Sequence, residues 1–555
     1  QLSLRAGIEL SYWDLKGREC KASYDTKRAL LGAMDISTAS ESEARDGLHK
    51  LNDDAWRRLL SPATVLRLND NASVKPLTIN LPAELAGRSL AWRITLDNGG
   101  IRSGEASPRA LQMIDARRVN GSDISRLALP LPADLPIGMH ELSIEIGNRH
   151  ECGTLVLAPP HAYRPDWLGA GGRKWGLACQ LYGLRGGNTK TTHADFGIGE
   201  LSHLADLSRR VGEVGGAALG INPLHALFWS DPQRASPYSP SSRRFLNPLY
   251  LDITATPEFA SCENAQAMLA SMPQTVSQGD LVDYPAVASA KREHLKSLFQ
   301  RFKDMNPAGV QSPRRAAFDA FVDEGGSALH NFAIFQALEE HLGSPARWPA
   351  TYASSQTSAV KAFSEEHADL CQFFKYLQFE TDRQLASAAH AAQSGGMQIG
   401  LYGDFAVGAA PDGAEAWSEP DAFASPCLFG APPDPFSDEG QDWGMPPLNP
   451  HRLTESGYCD FAALLEANMR HVGALRLDHV MWLERMFWIP EGGTAKDGAY
   501  VRYPREDLLG VLALQSHRNT CLVVGEDLGT VPLGFRERME PESILSYRFL
   551  RFERF

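Results

Sequence analysis

Three times in the second half of the chain, a helical stretch passes into a short apolar run that stops on a carboxylate. In the first, YLQFETDRQLASAAHAA leads through Gly395 and Gly396 into MQIGLY, and the run ends at Gly403 and Asp404. In the second, Phe461, Leu464, Leu465, Met469 and Val472 keep helical spacing ahead of GALRL, which ends at Asp478 and His479. In the third, EDLLGVLALQSHR precedes TCLVV, which ends at Gly525, Glu526 and Asp527. Helices alternating with brief apolar strands predict βα units around a parallel sheet. Ionisable residues at the C-terminal ends of successive strands share one mouth when such a sheet closes on itself. The predicted fold class is therefore α/β, with a (β/α)8 TIM-type barrel as the catalytic domain.

Upstream the texture differs. A chain of 555 residues exceeds what one core usually holds, about 250 to 300 residues. Residues 1–66 carry helical signals, with Asp25 or Thr26 as the expected cap before KRALLGAM. Residues 67–158 break into PLTINL, SLAWRITL, RLALPL and HELSIEI between Asn, Gly and Pro turns, which predicts a β-sandwich domain. Residues 159–175, PPHAYRPDWLGAGGRKW, read as a linker, and 176–555 as the barrel.

Composition narrows the partners. A formal charge of −13 argues against nucleic acid or an acidic membrane surface, which are held by clustered Lys and Arg. No stretch reaches 18 uninterrupted apolar residues, and the opening QLSLRAGIELSYWD lacks the basic start and apolar run of a signal peptide. The eight cysteines are scattered without a CxxC pair and read as reduced, mostly buried thiols. A cytoplasmic location and a neutral substrate are expected, although the chain begins at Gln1 without a methionine.

Breaking a glycosidic bond needs one carboxylate to attack the anomeric carbon and one acid to protonate the leaving oxygen. Asp478 and Glu526 can fill those roles. Arg476 precedes Asp478 by two residues, so strand alternation puts both side chains on one face, where the guanidinium favours the ionised carboxylate. Glu526 must begin the cycle protonated, which calls for burial or a neighbouring anion. Taken singly, an acid after a strand is more often a helix cap or a surface charge. The same three acids, Asp404, Asp478 and Glu526, would also suit Mg²⁺ in a metal-dependent barrel lyase. The stretch GAPPDPFSDEGQDWG at 430–444, with Asp434 and Trp443, fits a lid that hydrogen-bonds hydroxyls and stacks on a sugar ring. Tyr238 and Trp229 add aromatic surface that, for each alone, is better explained by packing.

Read together, QLYGLR, GINPLHALF, ASPYSPSSRRFLNPLY, LYGDFAVG, GAPPDPF with GQDWG, LRLDH and GEDLGTVP resemble, in order, the amylomaltase or disproportionating-enzyme family of the α-amylase superfamily. AGIELSYWDLKG and YDTKRALLGAM resemble the N-terminal extension of its longer bacterial members. The resemblance implies a 4-α-glucanotransferase that needs no metal or other cofactor. It implies Asp478 as nucleophile, Glu526 as acid/base and Arg476 as the charge partner of Asp478. Asp404 and His479 fall on substrate-contacting positions, Tyr238 in the groove motif, and Asp434 and Trp443 on a loop over the donor sugars; Asp527 is counted with the substrate-contacting residues. The implied partners are a malto-oligosaccharide donor and a glucose or malto-oligosaccharide acceptor. The family's third catalytic Asp, in a His-Asp motif after the Glu, has no counterpart before Phe555, and a further C-terminal segment is expected to supply it and the remaining strands. A hydrolase of amylase type and a noncatalytic maltodextrin-binding protein are the rival functions.

Overall fold

The computed structural model describes residues 1–14, 17–68, 75–169, 171–185, 196–272, 280–310, 312–434 and 437–550. The chain divides into two compact units, one made of Gln1–Pro165, Asp421–Glu466 and His479–Phe555, the other of Asp166–Pro420 and Ala467–Asp478.

In the first unit, the lead-in holds the helices Tyr24–Ala33 and Glu41–Arg57 and also a short antiparallel pair, Ser11–Trp13 with Glu19–Lys21, which the helical expectation omits. The cap of the first of these helices is Ser23, not Asp25 or Thr26. Its hydroxyl accepts the Thr26 amide at 2.9 Å, and Asp25 falls in the first turn, where an acid complements the helix dipole.

The β-sandwich consists of a five-stranded and a three-stranded sheet. Its first strand, Ala63–Arg67, starts before residue 67 and pairs in parallel with Arg149–Ala158. The strand Gly138–Ile146 alternates buried and exposed residues, the period that one solvated face requires. Leu142, Ile144 and Ile146 thereby meet Leu77, Ile79, Leu81, Leu155 and Leu157 in one core. Each such side chain contributes about 1.5–3 kcal/mol on burial.

The helix Arg505–Arg518 is buried at every residue from Leu508 to Ser516, so it is covered on all sides. Part of that cover is the sandwich itself, since the helix packs on Ala63–Arg67 and Arg149–Ala158. The approach is close: a Cβ on Gly510 would lie 2.5 Å from Val65 Cγ1. Ion pairs Arg67–Glu542 and Arg518–Asp97 join the same parts of the chain. The expected linker is also held, Tyr163 donating its amide to Ser516 Oγ and Ala162 to the Glu542 carbonyl, and it contains the short helix Asp166–Gly169.

The stretch expected as a lid is largely a hairpin. Leu428–Ala431 and Gln441–Met445 are antiparallel partners in a four-stranded sheet completed by Arg485–Ile489 and Ala499–Arg502. Asp434 lies in the connection, and Pro435 and Phe436 fall outside the described residues. The same unit contains the parallel pair Leu522–Glu526 and Ile544–Tyr547.

The second unit has four parallel strands in the order Gly176–Cys179, Ala218–Ile221, Gly400–Phe405, Ala474–Leu477. Long helices accompany them, Tyr284–Met305, Pro313–Leu342 and Ala368–Ser394, around a core that includes Phe302, Phe335, Tyr376 and Leu401. Two glycines make the strand entries possible. Gly396 takes φ 93° at the turn after the third of these helices, and a Cβ on Gly473 would lie 1.7 Å from the Ile399 carbonyl oxygen.

The observed architecture is thus an α/β fold with a β-sandwich, built on parallel strands that end where the sequence places its acids. Among the described residues no helix is long and apolar enough to cross a membrane. All eight cysteines are unpaired, but only Cys262, Cys371, Cys427 and Cys521 are buried, whereas Cys152 and Cys459 are exposed.

Candidate active site

In the second unit, strand register assembles one charged cluster. Asp404 lies directly opposite Arg476 in the parallel pair Gly400–Phe405 with Ala474–Leu477. Cross-strand neighbours share a face, and residues two apart on one strand do too. Arg476 therefore reaches sideways to Asp404, Nη1 donating to Oδ1 at 2.6 Å, and forward to Asp478, Nη2 donating to Oδ1 at 2.7 Å. Tyr238, brought in by the connection between His225–Ala226 and Ser242–Leu246, donates its hydroxyl to Asp404 Oδ2 at 2.6 Å.

Burial sets the electrostatics. It raises Asp404 and Asp478 above the ordinary carboxylate range, with Arg476 opposing in both cases. Burial also works against the charge on Arg476, but the two carboxylates outweigh it and hold that guanidinium more firmly protonated than a free arginine. Arg476 was expected to keep Asp478 ionised. It does pull that way, against a larger desolvation. A guanidinium bound to both carboxylates supplies the positive charge that a divalent ion between them would bring. Among the described residues no group of three or more His, Cys, Asp or Glu is placed to hold a metal.

In the first unit, Glu526 ends the strand Leu522–Glu526 and is 8% exposed. Its two oxygens each accept a backbone amide, Oε2 from His479 at 2.9 Å and Oε1 from Leu528 at 2.8 Å. His479 stands in the left-handed region at φ 47° and ψ 55°, a conformation that costs a non-glycine residue about 1–2 kcal/mol. Its imidazole is pushed down to about 4 by burial and is therefore neutral at neutral pH. The Trp443 ring meets it edge-on at 5.0 Å and meets Phe429 at 5.7 Å.

The remaining expected residues have partners within the protein. Asp527 Oδ2 accepts from Arg536 Nε at 2.6 Å and Ser546 Oγ at 2.7 Å. Asp434 Oδ1 accepts the Ser437 amide at 2.8 Å. Trp229 is 6% exposed, with its indole donating to Glu340 Oε2, so it is a packing residue. Sequence reading passed over His225 and Arg243, although GINPLHALF and SPSSRRF were both in view. A lone His inside an apolar run was the signal for His225, and Arg243 had none; both are 2% exposed beside the strand exit that carries Asp404.

Residues 187–555 match the family described as 4-alpha-glucanotransferase. The chain belongs to the 4-alpha-glucanotransferase family. Residues 59–159 match the MalQ N-terminal beta sandwich domain. Among curated members of the family, the chain is 36% identical to the 4-alpha-glucanotransferase of Mycobacterium tuberculosis over 565 residues, covering 100% of this chain and 75% of that protein. It is 38% identical to the Haemophilus influenzae 4-alpha-glucanotransferase over 450 residues, 78% of this chain and 62% of the relative. Among solved structures it resembles amylomaltase from Corynebacterium glutamicum, with a TM-score of 0.84, 28% identity and coverage of 100% of this chain and 75% of the other. An amylomaltase from Streptococcus agalactiae, solved in complex with acarbose, shares the fold at a TM-score of 0.57 and 21% identity, over 67% of this chain and 72% of the other.

Proposed function

We propose that the protein transfers α-1,4-glucan segments between malto-oligosaccharides by a retaining double displacement, with Asp478 as nucleophile and Glu526 as acid and then base. The observation that carries the roles is the chain at 478–479: Asp478 is ion-paired to Arg476, and the next residue donates its amide to Glu526. On this reading the parallel strands of the second unit belong to a (β/α)8 barrel.

In the first half-reaction Glu526 gives its proton to the glycosidic oxygen as the bond to C1 breaks, and an Asp478 oxygen bonds C1. The reducing-end fragment leaves. In the second, Glu526 takes the proton from the 4-hydroxyl of an acceptor glucan, whose oxygen bonds C1 as the ester to Asp478 breaks. Two inversions restore the α linkage. Asp404, held by Tyr238 and Arg476, grips hydroxyls of the sugar at the cleaved bond, and Trp443 offers a ring edge beside His479 to the donor. Water in place of the acceptor would give hydrolysis instead.

Incubating the full-length protein with maltotriose tests the reading. Disproportionation gives glucose together with a ladder of longer oligosaccharides, and Asp478→Asn abolishes both. Shorter sugars without the ladder would make it a hydrolase, and undiminished transfer by the Asp478→Asn protein would remove Asp478 from the chemistry.

A further inference from the structure

The strand that presents Asp404 continues as Phe405, Ala406 and Val407, and one hairpin grips that exit at three successive points. Tyr238 binds the Asp404 carboxylate from the connection of the hairpin. His225, on its first strand, accepts the Ala406 amide at Nε2, 3.1 Å away. Arg243, on its second, donates Nη1 to the Val407 carbonyl at 2.9 Å while its Nε and Nη2 hold Glu415. The grip extends further along the chain, since Ser241 accepts the Ala414 amide at Oγ and the Glu415 amide at its carbonyl.

The two contacts to the backbone at Ala406 and Val407 are dry. His225 and Arg243 are each 2% exposed and Ala406 is 0% exposed. An amide buried there and left without an acceptor is costly, and moving the exit to find another acceptor would carry Asp404 with it. His225 can accept at Nε2 only as the neutral ring with its proton on Nδ1. Burial, reinforced by the nearby Arg243 charge, pushes the imidazole down to about 3, so it stays neutral over the whole working range. The Phe405 ring, edge-on at 5.9 Å, fixes its plane.

We infer that His225 is a positioning residue for the transfer reaction: by accepting the Ala406 amide it sets where Tyr238 and Arg476 hold the Asp404 carboxylate. The inference rests on the proposed reading in which Asp404 contacts the reacting sugar. A displacement of 1 Å in such a group costs about 100-fold in rate. On that reading Asp404 acts at the reacting sugar, so the effect belongs in kcat rather than in KM.

The test is a double-mutant cycle on maltotriose disproportionation by the full-length protein. His225→Leu removes the acceptor and His225→Gln keeps one at similar reach, each made in the wild type and in Asp404→Asn. In the wild type, Leu is expected to lower kcat about 10- to 100-fold with KM changed less than about threefold, and Gln to restore most of it. In Asp404→Asn, Leu should cost less than about twofold more, because the group it positions is already gone. Equal losses in both backgrounds, or Gln as damaging as Leu, would overturn the inference and leave His225 a structural residue. Should His225→Leu fail to fold, His225→Asn, whose acceptor is too short to reach, decides: it is expected to lose activity where Gln keeps it, and equal activities would refute the role. Full transfer by Asp404→Asn alone would instead overturn the reading of Asp404 on which the inference stands.

Discussion

Arg476 is the most informative residue to perturb, because one guanidinium is shared by two carboxylates. The side chains are largely shielded, Arg476 at 17% exposure, Asp404 at 9% and Asp478 at 20%. At contact distance and an effective dielectric near 20, each pairing is worth about 4 kcal/mol before desolvation. An adjacent cation lowers a carboxylate by about 1–3 pKa units, or about 1.4–4 kcal/mol. Arg476→Met withdraws that support from Asp478, which burial already raises, and leaves Asp404 and Asp478 to repel one another. The nucleophile then holds its proton to higher pH. The acid limb of kcat/KM, followed from about pH 4 to 9 with maltotriose, should move up by about 2 units. Arg476→Lys keeps the charge but reaches one carboxylate, and should move it by about half as much. A lower plateau with the acid limb unmoved would refute the electrostatic reasoning and leave Arg476 a purely geometric part.

Tyr238→Phe removes a 2.6 Å bond to a mostly buried carboxylate, and kcat/KM should fall about 10- to 100-fold with little change in thermal stability. His225 binds no proton in the fold until about pH 3, whereas the unfolded chain takes one near 6.5, so its contribution to stability is complete above 6.5 and is lost as pH falls. Chemical denaturation should show the margin of the wild type over His225→Gln shrinking by about 1.4 kcal/mol per pH unit below 6.5, and a constant margin would contradict the buried neutral ring. Asp527→Asn weakens the anchor to Arg536 and Ser546, and should lower unfolding free energy by about 1–3 kcal/mol while KM for maltotriose stays put; a raised KM would return Asp527 to the substrate-contacting residues.

Much of this was legible in the sequence because strand periodicity is a strong constraint. Once Arg476 and Asp478 stand two apart at a strand end, they share a face, and their contact follows. The partnership of Asp404 with Arg476 was not legible. It depends on the register of two strands separated by more than sixty residues, and on Gly473 letting one backbone approach another. The hairpin at 430–444 was hidden because a stretch rich in Pro, Gly and acids carries no alternation, while its pairing is decided by Arg485–Ile489 far along the chain. His225 and Arg243 were invisible for a related reason. Their environment is made by the backbone they grip, and local sequence says nothing of that. Ser23 stands beside Asp25 and Thr26, and local sequence does not say which of several adjacent cap-forming side chains closes the helix.

The helix Arg505–Arg518, enclosed on every side and leaning on the first sandwich strand, bears on how the protein is made. Residues near 65 must wait for residues near 510 before their own sheet is sheathed, so this sandwich is completed only by a segment that follows it far along the chain. An isolated sandwich would therefore present Val65 and its neighbours to water, and a chain lacking the sandwich would present the face of the helix around Gly510. Neither half makes a clean fragment, and swapping the N-terminal domain between relatives would demand matching changes in this one helix.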